Sequence, residues 1–209
     1  IGVIVGAGYT WHLIDQNNPS LAQTLMIVGV IGGFITAIAI TFKPNWAPAL
    51  APAYAILEGL FLGAISKVFN DAFYPGIVVQ AVGLTFGVAV AMFLLYNFRV
   101  IKATEKFKSM IMSAMLGIAI FYLLTWILGL FNVDVSFVRD NSMLSIGISL
   151  FIVAIAALNL ILDFDMIEQG AERGAPQFME WYAAFGLMVT IVWLYLEILR
   201  LLSKLSSRD

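Results

Sequence analysis

Five carboxylates lie within or beside long apolar stretches of this 209-residue chain: Glu58, Asp163, Asp165, Glu180 and Glu197. An ionisable side chain in such a stretch marks a functional site by default, because burying its charge costs free energy. Carboxylate oxygens are also the ligands that calcium takes in proteins. The chemistry that these residue types suggest is therefore proton exchange or cation binding within an apolar environment.

Glu58 has the deepest predicted position. Its helix is predicted to begin near Ala47, and eleven residues at about 1.5 Å each place Glu58 roughly 16 Å inside. No basic residue lies within one helical turn, and Lys67 is more than two turns away. We predict that Glu58 faces the interior of a helix bundle. The structural alternative is a protonated carboxyl that is hydrogen-bonded to a neighbouring helix.

Asp163 directly follows an apolar run, and Asp165 lies two residues further along the chain. On a helix these two side chains point about 200° apart, so they cannot face one partner. Asp165, Glu168 and Glu172 instead form a separate acidic stripe, which a solvated helix end would account for in the last two. Asp163 is therefore a candidate for an ion pathway, with Asp165 at its mouth.

The two remaining acids have simpler roles. Glu197 has Arg200 three residues later, which is the spacing of an ion pair on a helix. Glu180 precedes Trp181 at a predicted membrane boundary, where an exposed acid needs no special role. Glu197 is kept as a candidate of the ion pathway, and Glu180 as a secondary one.

The composition of the chain indicates the class of protein to which these acids belong. The chain is 62% apolar and 11% charged, against about 45–50% and about 25% in an ordinary soluble domain. Its net charge of −2 argues against a nucleic-acid partner, and the absence of cysteine excludes disulfides and thiolate sites. With one histidine, His12, and no nucleotide-binding or metalloprotease motif, we expect neither an enzyme nor a cofactor.

Six apolar runs are long enough to span a bilayer, and they are separated by short breaks with turn residues. The runs cover residues 24–42, 48–66, 76–96, 109–131, 142–162 and 181–202, and the breaks lie at 17–19, 43–45, 74–76, 140–142 and 170–176. The initial run, 1–14, is read as the second half of a truncated first helix. The sequence therefore predicts an all-α, multi-pass membrane protein of seven helices, forming a single transmembrane domain over residues 1–209.

Basic residues predict the orientation of the chain in the membrane. If the first helix starts inside, the inside loops hold six Lys and Arg and the outside loops hold two: Lys43, Arg99, Lys102, Lys106, Lys108 and Arg173 against Lys67 and Arg139. The basic tail formed by Arg200, Lys204 and Arg208 would then fall outside. The alternative is a last segment that enters the membrane and returns, which would leave the tail inside.

Several segments resemble the transmembrane Bax-inhibitor-motif (Bax inhibitor-1-like) family. The segment 158–167, which reads LNLILDFDMI, resembles the sixth-helix signature, and 174–182 and 193–202 are similar to a bacterial branch of the family. Glu58-Gly59 followed by Gly63 also fits the third helix. The resemblance covers most of the chain, and its specific part is the last third.

The resemblance implies a seven-helix bundle with the last helix central, and a pH-sensitive calcium leak. It implies a sensor pair of acids on helices six and seven, which Asp163 and Glu197 match, and an arginine latch near the end of helix two, where Lys43 stands. Lysine is a point charge and not a bidentate fork. Depth places Glu197 far from Asp163 unless residues 177–185 lie along the interface, so depth favours Glu58 as the partner. From the resemblance we predict Asp163 as the pH sensor and, together with Glu58, as a calcium ligand.

Three functions remain open. The first is a calcium leak channel gated by carboxylates on helices three, six and seven, with calcium as a permeant or weakly bound ion. The second is a non-transporting regulator that binds other membrane proteins, such as a membrane protease. The third is transport of protons or small solutes. Each places the chain in a lipid bilayer, which we expect to be a bacterial cytoplasmic membrane.

Overall fold

A computed structural model describes residues 1–16, 19–131, 140 and 142–207. These residues form seven α-helices and one short 3-10 helix (Pro44–Trp46), and no strand occurs among them. The helices are α1 (Gly2–Asp15), α2 (Pro19–Phe42), α3 (Ala47–Ala72), α4 (Ile77–Asn97), α5 (Glu105–Leu130), α6 (Met143–Glu172) and α7 (Phe178–Ser206). The predicted turn residues 17, 18 and 141, and the basic residues Arg139 and Arg208, lie outside the described part of the chain.

Six of these helices, α2 to α7, are long and apolar enough to cross a membrane. Large apolar side chains on them are more than half exposed, including Phe34, Phe86 and Trp126. Exposed apolar surface on this scale suits a lipid environment and not water. The prediction of an all-α, multi-pass membrane protein is thus confirmed.

The helices extend past the predicted apolar runs. Lys67, predicted to lie in a loop, belongs to the last turns of α3 and pairs with Asp15 and Asp71 at 2.9 Å each. Helix α7 continues unbroken through Gly186, so residues 178–185 and the rest of α7 form one helix. Lys204 also lies within α7 and not in a free tail. The reason is that backbone hydrogen bonding continues through polar residues after the apolar run has ended.

The first of two compact units comprises Ile1–Val78 and Ile167–Met188. Its buried core contains Ile40, Ala47, Ala51, Tyr54 and Phe185. Helices α1 and α2 both pack along α3. The contact with α1 is backbone to backbone, because a Cβ atom built on Gly63 would overlap the main chain of Ala7. The GxxxG pair Gly59 and Gly63 therefore permits close helix packing.

The second unit comprises Val79–Met166 and Val189–Asp209. Its core is a ladder of isoleucines from α5 and α6, with Trp193 of α7 packed against it: Ile111, Ile118, Ile152 and Ile155. These residues recur at helical spacing and leave the opposite faces of both helices exposed. This apolar packing fixes the position of α7 along α6, and polar side chains of the two helices can therefore meet.

Candidate functional site

Asp163 lies in a buried polar cluster between α6 and α7 of the second unit. The amide nitrogen of Asn159 donates to the Thr190 hydroxyl oxygen at 2.9 Å. The same hydroxyl is hydrogen-bonded to the Asp163 carboxylate. All three side chains are buried. Because a hydroxyl has one donor and two acceptor sites, Thr190 can accept from the amide and donate to the acid at once.

Helical spacing explains how the sequence builds this cluster. Asn159 and Asp163 are four residues apart on α6, so both side chains project from one face. Thr190 presents its hydroxyl to that face from the middle of α7. Asp165 cannot join the cluster, since a helix turns about 200° between positions 163 and 165. A single residue, Thr190, thereby links the side chains of Asn159 and Asp163.

One oxygen of the Asp163 carboxylate has no hydrogen-bond partner among the described residues. Oδ2 is fully buried and contacts no donor among the residues that the structure describes. An ionised carboxylate in this position would leave a charge uncompensated, at a cost of several kcal/mol. A proton on Oδ2 removes the charge, and a cation beside it compensates the charge. The site is therefore suited to exchanging one for the other.

Asp165 belongs to a different cluster, at the end of α4 and the beginning of α5. Lys108 Nζ lies 2.8 Å from its Oδ2, and the Tyr96 hydroxyl donates to its Oδ1 at 3.3 Å. Glu105 lies 3.4 Å from the same ammonium and is well exposed. Asp165 is thus an ion-paired carboxylate that links three helices of the second unit.

Glu197 is only 2% exposed and is neutralised within its own helix by Arg200, at 3.0 Å. The Tyr122 hydroxyl of α5 donates to the same carboxylate at 2.9 Å. The predicted ion pair forms, although its acid is buried. Glu197 lies seven residues beyond Thr190, about 10 Å further along α7, and its partners differ from those of Asp163.

Glu58 lies in the first unit and is partly buried. Its carboxylate is hydrogen-bonded to the Tyr54 hydroxyl one turn earlier on α3. Its Oε2 also lies against Gly33 of α2, 3.2 Å from where a Cβ atom on that glycine would be. Tyr54 packs edge-on against Phe185 with ring centres 5.0 Å apart. Glu58 therefore has a polar partner on its own helix and a close neighbour on α2.

The secondary candidates are exposed. Lys43 follows α2, and its ammonium lies 4.5 Å from the centre of the Trp46 ring. Glu180 lies in the first turn of α7, where a carboxylate interacts favourably with the helix dipole. Among the described residues, no group of three or more His, Cys, Asp or Glu side chains could hold a metal ion. A bound calcium would therefore need water and uncharged oxygens as most of its ligands.

The neutral members of these clusters were not predicted from the sequence, where only ionisable groups stand out within the apolar runs: Asn159, Thr190, Tyr122 and Tyr96. The signal that could have identified Asn159 is spacing, because it precedes Asp163 by one helical turn within an apolar run. No such local signal identifies Thr190, whose partner is 31 residues away in the chain.

Comparison with known proteins supports the resemblance seen in the sequence. A family model described as Bax inhibitor 1 like matches residues 1–207. Neither the curated proteins nor the solved structures gave a match. Because the family model spans the six apolar helices and the Asp163 cluster, the chain belongs to the Bax inhibitor 1 like family.

Proposed function

We propose that this protein is a pH-sensitive calcium leak channel whose sensor is Asp163. The observation that carries the proposal is the buried Oδ2 atom of Asp163, which has no partner among the described residues. When the carboxyl is protonated, it is neutral and stays hydrogen-bonded to Thr190. When the proton is lost, the buried charge needs a cation or water, which favours opening of the contact between α6 and α7.

The other predicted acids enter this proposal in different roles. Glu58, in the first unit, is a second candidate carboxylate, because its partner Tyr54 is neutral. Asp165 and Glu197 are already paired with Lys108 and Arg200 and act as fixed charges near the path. Calcium is a permeant, weakly held ion, and no catalysis or cofactor is involved. The seven-helix bundle with a central last helix and the bacterial cytoplasmic membrane are parts of the same proposal.

The test is calcium flux into liposomes that contain the purified protein and a calcium-sensitive dye. Flux should be low at acidic pH and higher at neutral pH, because protonation of Asp163 removes the buried charge on which the proposed opening depends. Protein-free liposomes of the same lipid control for passive leak. Equal flux at both pH values would contradict the sensor, and no flux at either would contradict the channel.

A non-transporting regulator of other membrane proteins is the second candidate. The observation in its favour is that Asp165 and Glu197 are neutralised within the second unit, as structural acids would be. Absence of calcium flux at both pH values, with the protein folded in the liposomes, would favour this candidate. Proton movement without calcium movement would instead favour proton transport.

A further inference from the structure

A second buried polar cluster joins the beginning of α6 to the end of α7. Lys204 is only 6% exposed, and Ser145 and Ser149 are 0% and 2% exposed. The Lys204 ammonium donates to the hydroxyls of Ser145 and Ser149, at 2.6 and 2.8 Å. It also donates to the Ser145 main-chain carbonyl at 3.3 Å. All these atoms belong to the second unit.

The arrangement has the chemistry of a cation site. Three uncharged oxygens accept hydrogen bonds from this ammonium, and the charges of Arg200, Glu197 and Asp140 also act on it. Ser145 and Ser149 are one helical turn apart, so both hydroxyls point from one face of α6. Hydroxyl and carbonyl oxygens that converge on one positive centre are also how proteins replace the hydration shell of a monovalent ion.

Neither catalysis nor a simple structural tie accounts for this cluster as well as cation binding does. A serine beside a lysine is an arrangement found in nucleophilic catalysis, but the burial of Ser145 and Ser149 gives a substrate no access to either hydroxyl. A neutral amide side chain could also link two helices by hydrogen bonds, and it would avoid the free-energy cost of burying a charge. The positive charge is therefore the specific property of this cluster.

We propose that Ser145 and Ser149, with the Ser145 carbonyl, form a monovalent-cation site that Lys204 fills with its own tethered ammonium. The chain thereby keeps a permanent cation between α6 and α7 where a free ion would otherwise bind and exchange. The inference does not depend on the proposed calcium leak, because it concerns a different cluster of side chains.

The test is cation rescue of Lys204→Ala. This substitution removes the ammonium and leaves the three oxygens. Thermal unfolding of the purified protein is measured in ammonium, potassium, sodium and N-methyl-D-glucamine chloride at equal ionic strength. We expect at least one small cation to raise the variant's midpoint by about 3–5 °C for each tenfold rise above its dissociation constant. The unsubstituted protein should respond equally to all four salts.

Two controls separate site binding from general salt effects. Lys204→Ala combined with Ser149→Ala should lose the rescue, because one of the three oxygen ligands is gone. Lys102→Ala, at an exposed lysine, should show no preference among the cations. If Lys204→Ala does not fold in any salt, Lys204→Ser is tested instead, because serine also leaves room for a small cation and adds a hydroxyl oxygen as a ligand. Failure of both to fold, or an identical response to N-methyl-D-glucamine and the small cations, would overturn the proposal.

Discussion

Asn159 donates a hydrogen bond to Thr190 across 2.9 Å, and this contact joins α6 to α7 one turn before Asp163. Thr190 therefore occupies the position on α7 that faces the proposed sensor. The resemblance to the family implied an acid on helix seven as the partner of Asp163. In this chain the hydrogen-bond partner of Asp163 on that helix is the neutral hydroxyl of Thr190.

Thr190→Val should destabilise the protein. The valine keeps the shape of the side chain but leaves the Asn159 amide and the Asp163 carboxyl without their shared partner, at a cost of about 1–3 kcal/mol. Thermal or denaturant unfolding of the purified protein measures the loss. The matched control is Thr85→Val on α4, where the buried hydroxyl donates to the Ala81 carbonyl of its own helix. Equal losses at both positions would contradict the shared-partner role.

Asp163→Asn should flatten the pH dependence of calcium flux and weaken calcium binding. The amide keeps the size and a hydrogen bond but cannot lose a proton in this range, so the buried negative charge no longer forms. Flux into dye-loaded liposomes at acidic and neutral pH gives the result. Glu172→Gln, at an exposed acid of α6, should change little. If Asp163→Asn keeps its pH dependence while Glu58→Gln or Glu197→Gln abolishes it, the sensor is one of those acids.

Gly63→Ala should destabilise the packing of α1 on α3. The added Cβ atom would overlap the backbone of Ala7, and overpacking of this kind costs about 1–3 kcal/mol. Gly83→Ala on α4 is the control, because nothing lies within 4 Å of its Cβ position. There the higher helix propensity of alanine should stabilise by up to about 1 kcal/mol. Unfolding midpoints of the two variants should therefore move in opposite directions.

Single cysteines test the predicted orientation in the membrane. The chain has no cysteine of its own, so Lys102→Cys and Asp71→Cys each introduce one reactive thiol. With the first helix starting inside, a membrane-impermeant reagent should label position 71 from outside and position 102 from inside. Labelling of both positions from the same side of intact cells would contradict the predicted topology.

The sequence by itself determined the class of the protein and most of its elements. A run of about 20 apolar residues with few charges is long enough to span a bilayer, and a helix satisfies its backbone hydrogen bonds there. The pattern of apolar runs therefore predicted the six long spans. The burial of Asp163 was also predictable, because it directly follows such a run. Most of the helices were predicted too short, because backbone hydrogen bonding does not stop at the first charged side chain.

Only the tertiary structure decided which polar groups meet. Thr190 and Asn159 are 31 residues apart, Tyr122 and Glu197 are 75 apart, and Lys204 and Ser149 are 55 apart. Spacing along one helix says which side chains share a face, but it does not say which face of another helix lies opposite. That choice follows from apolar packing between helices, here the isoleucine ladder of α5 and α6 with Trp193. The partners of the buried acids and of Lys204 are therefore properties of the packed helices.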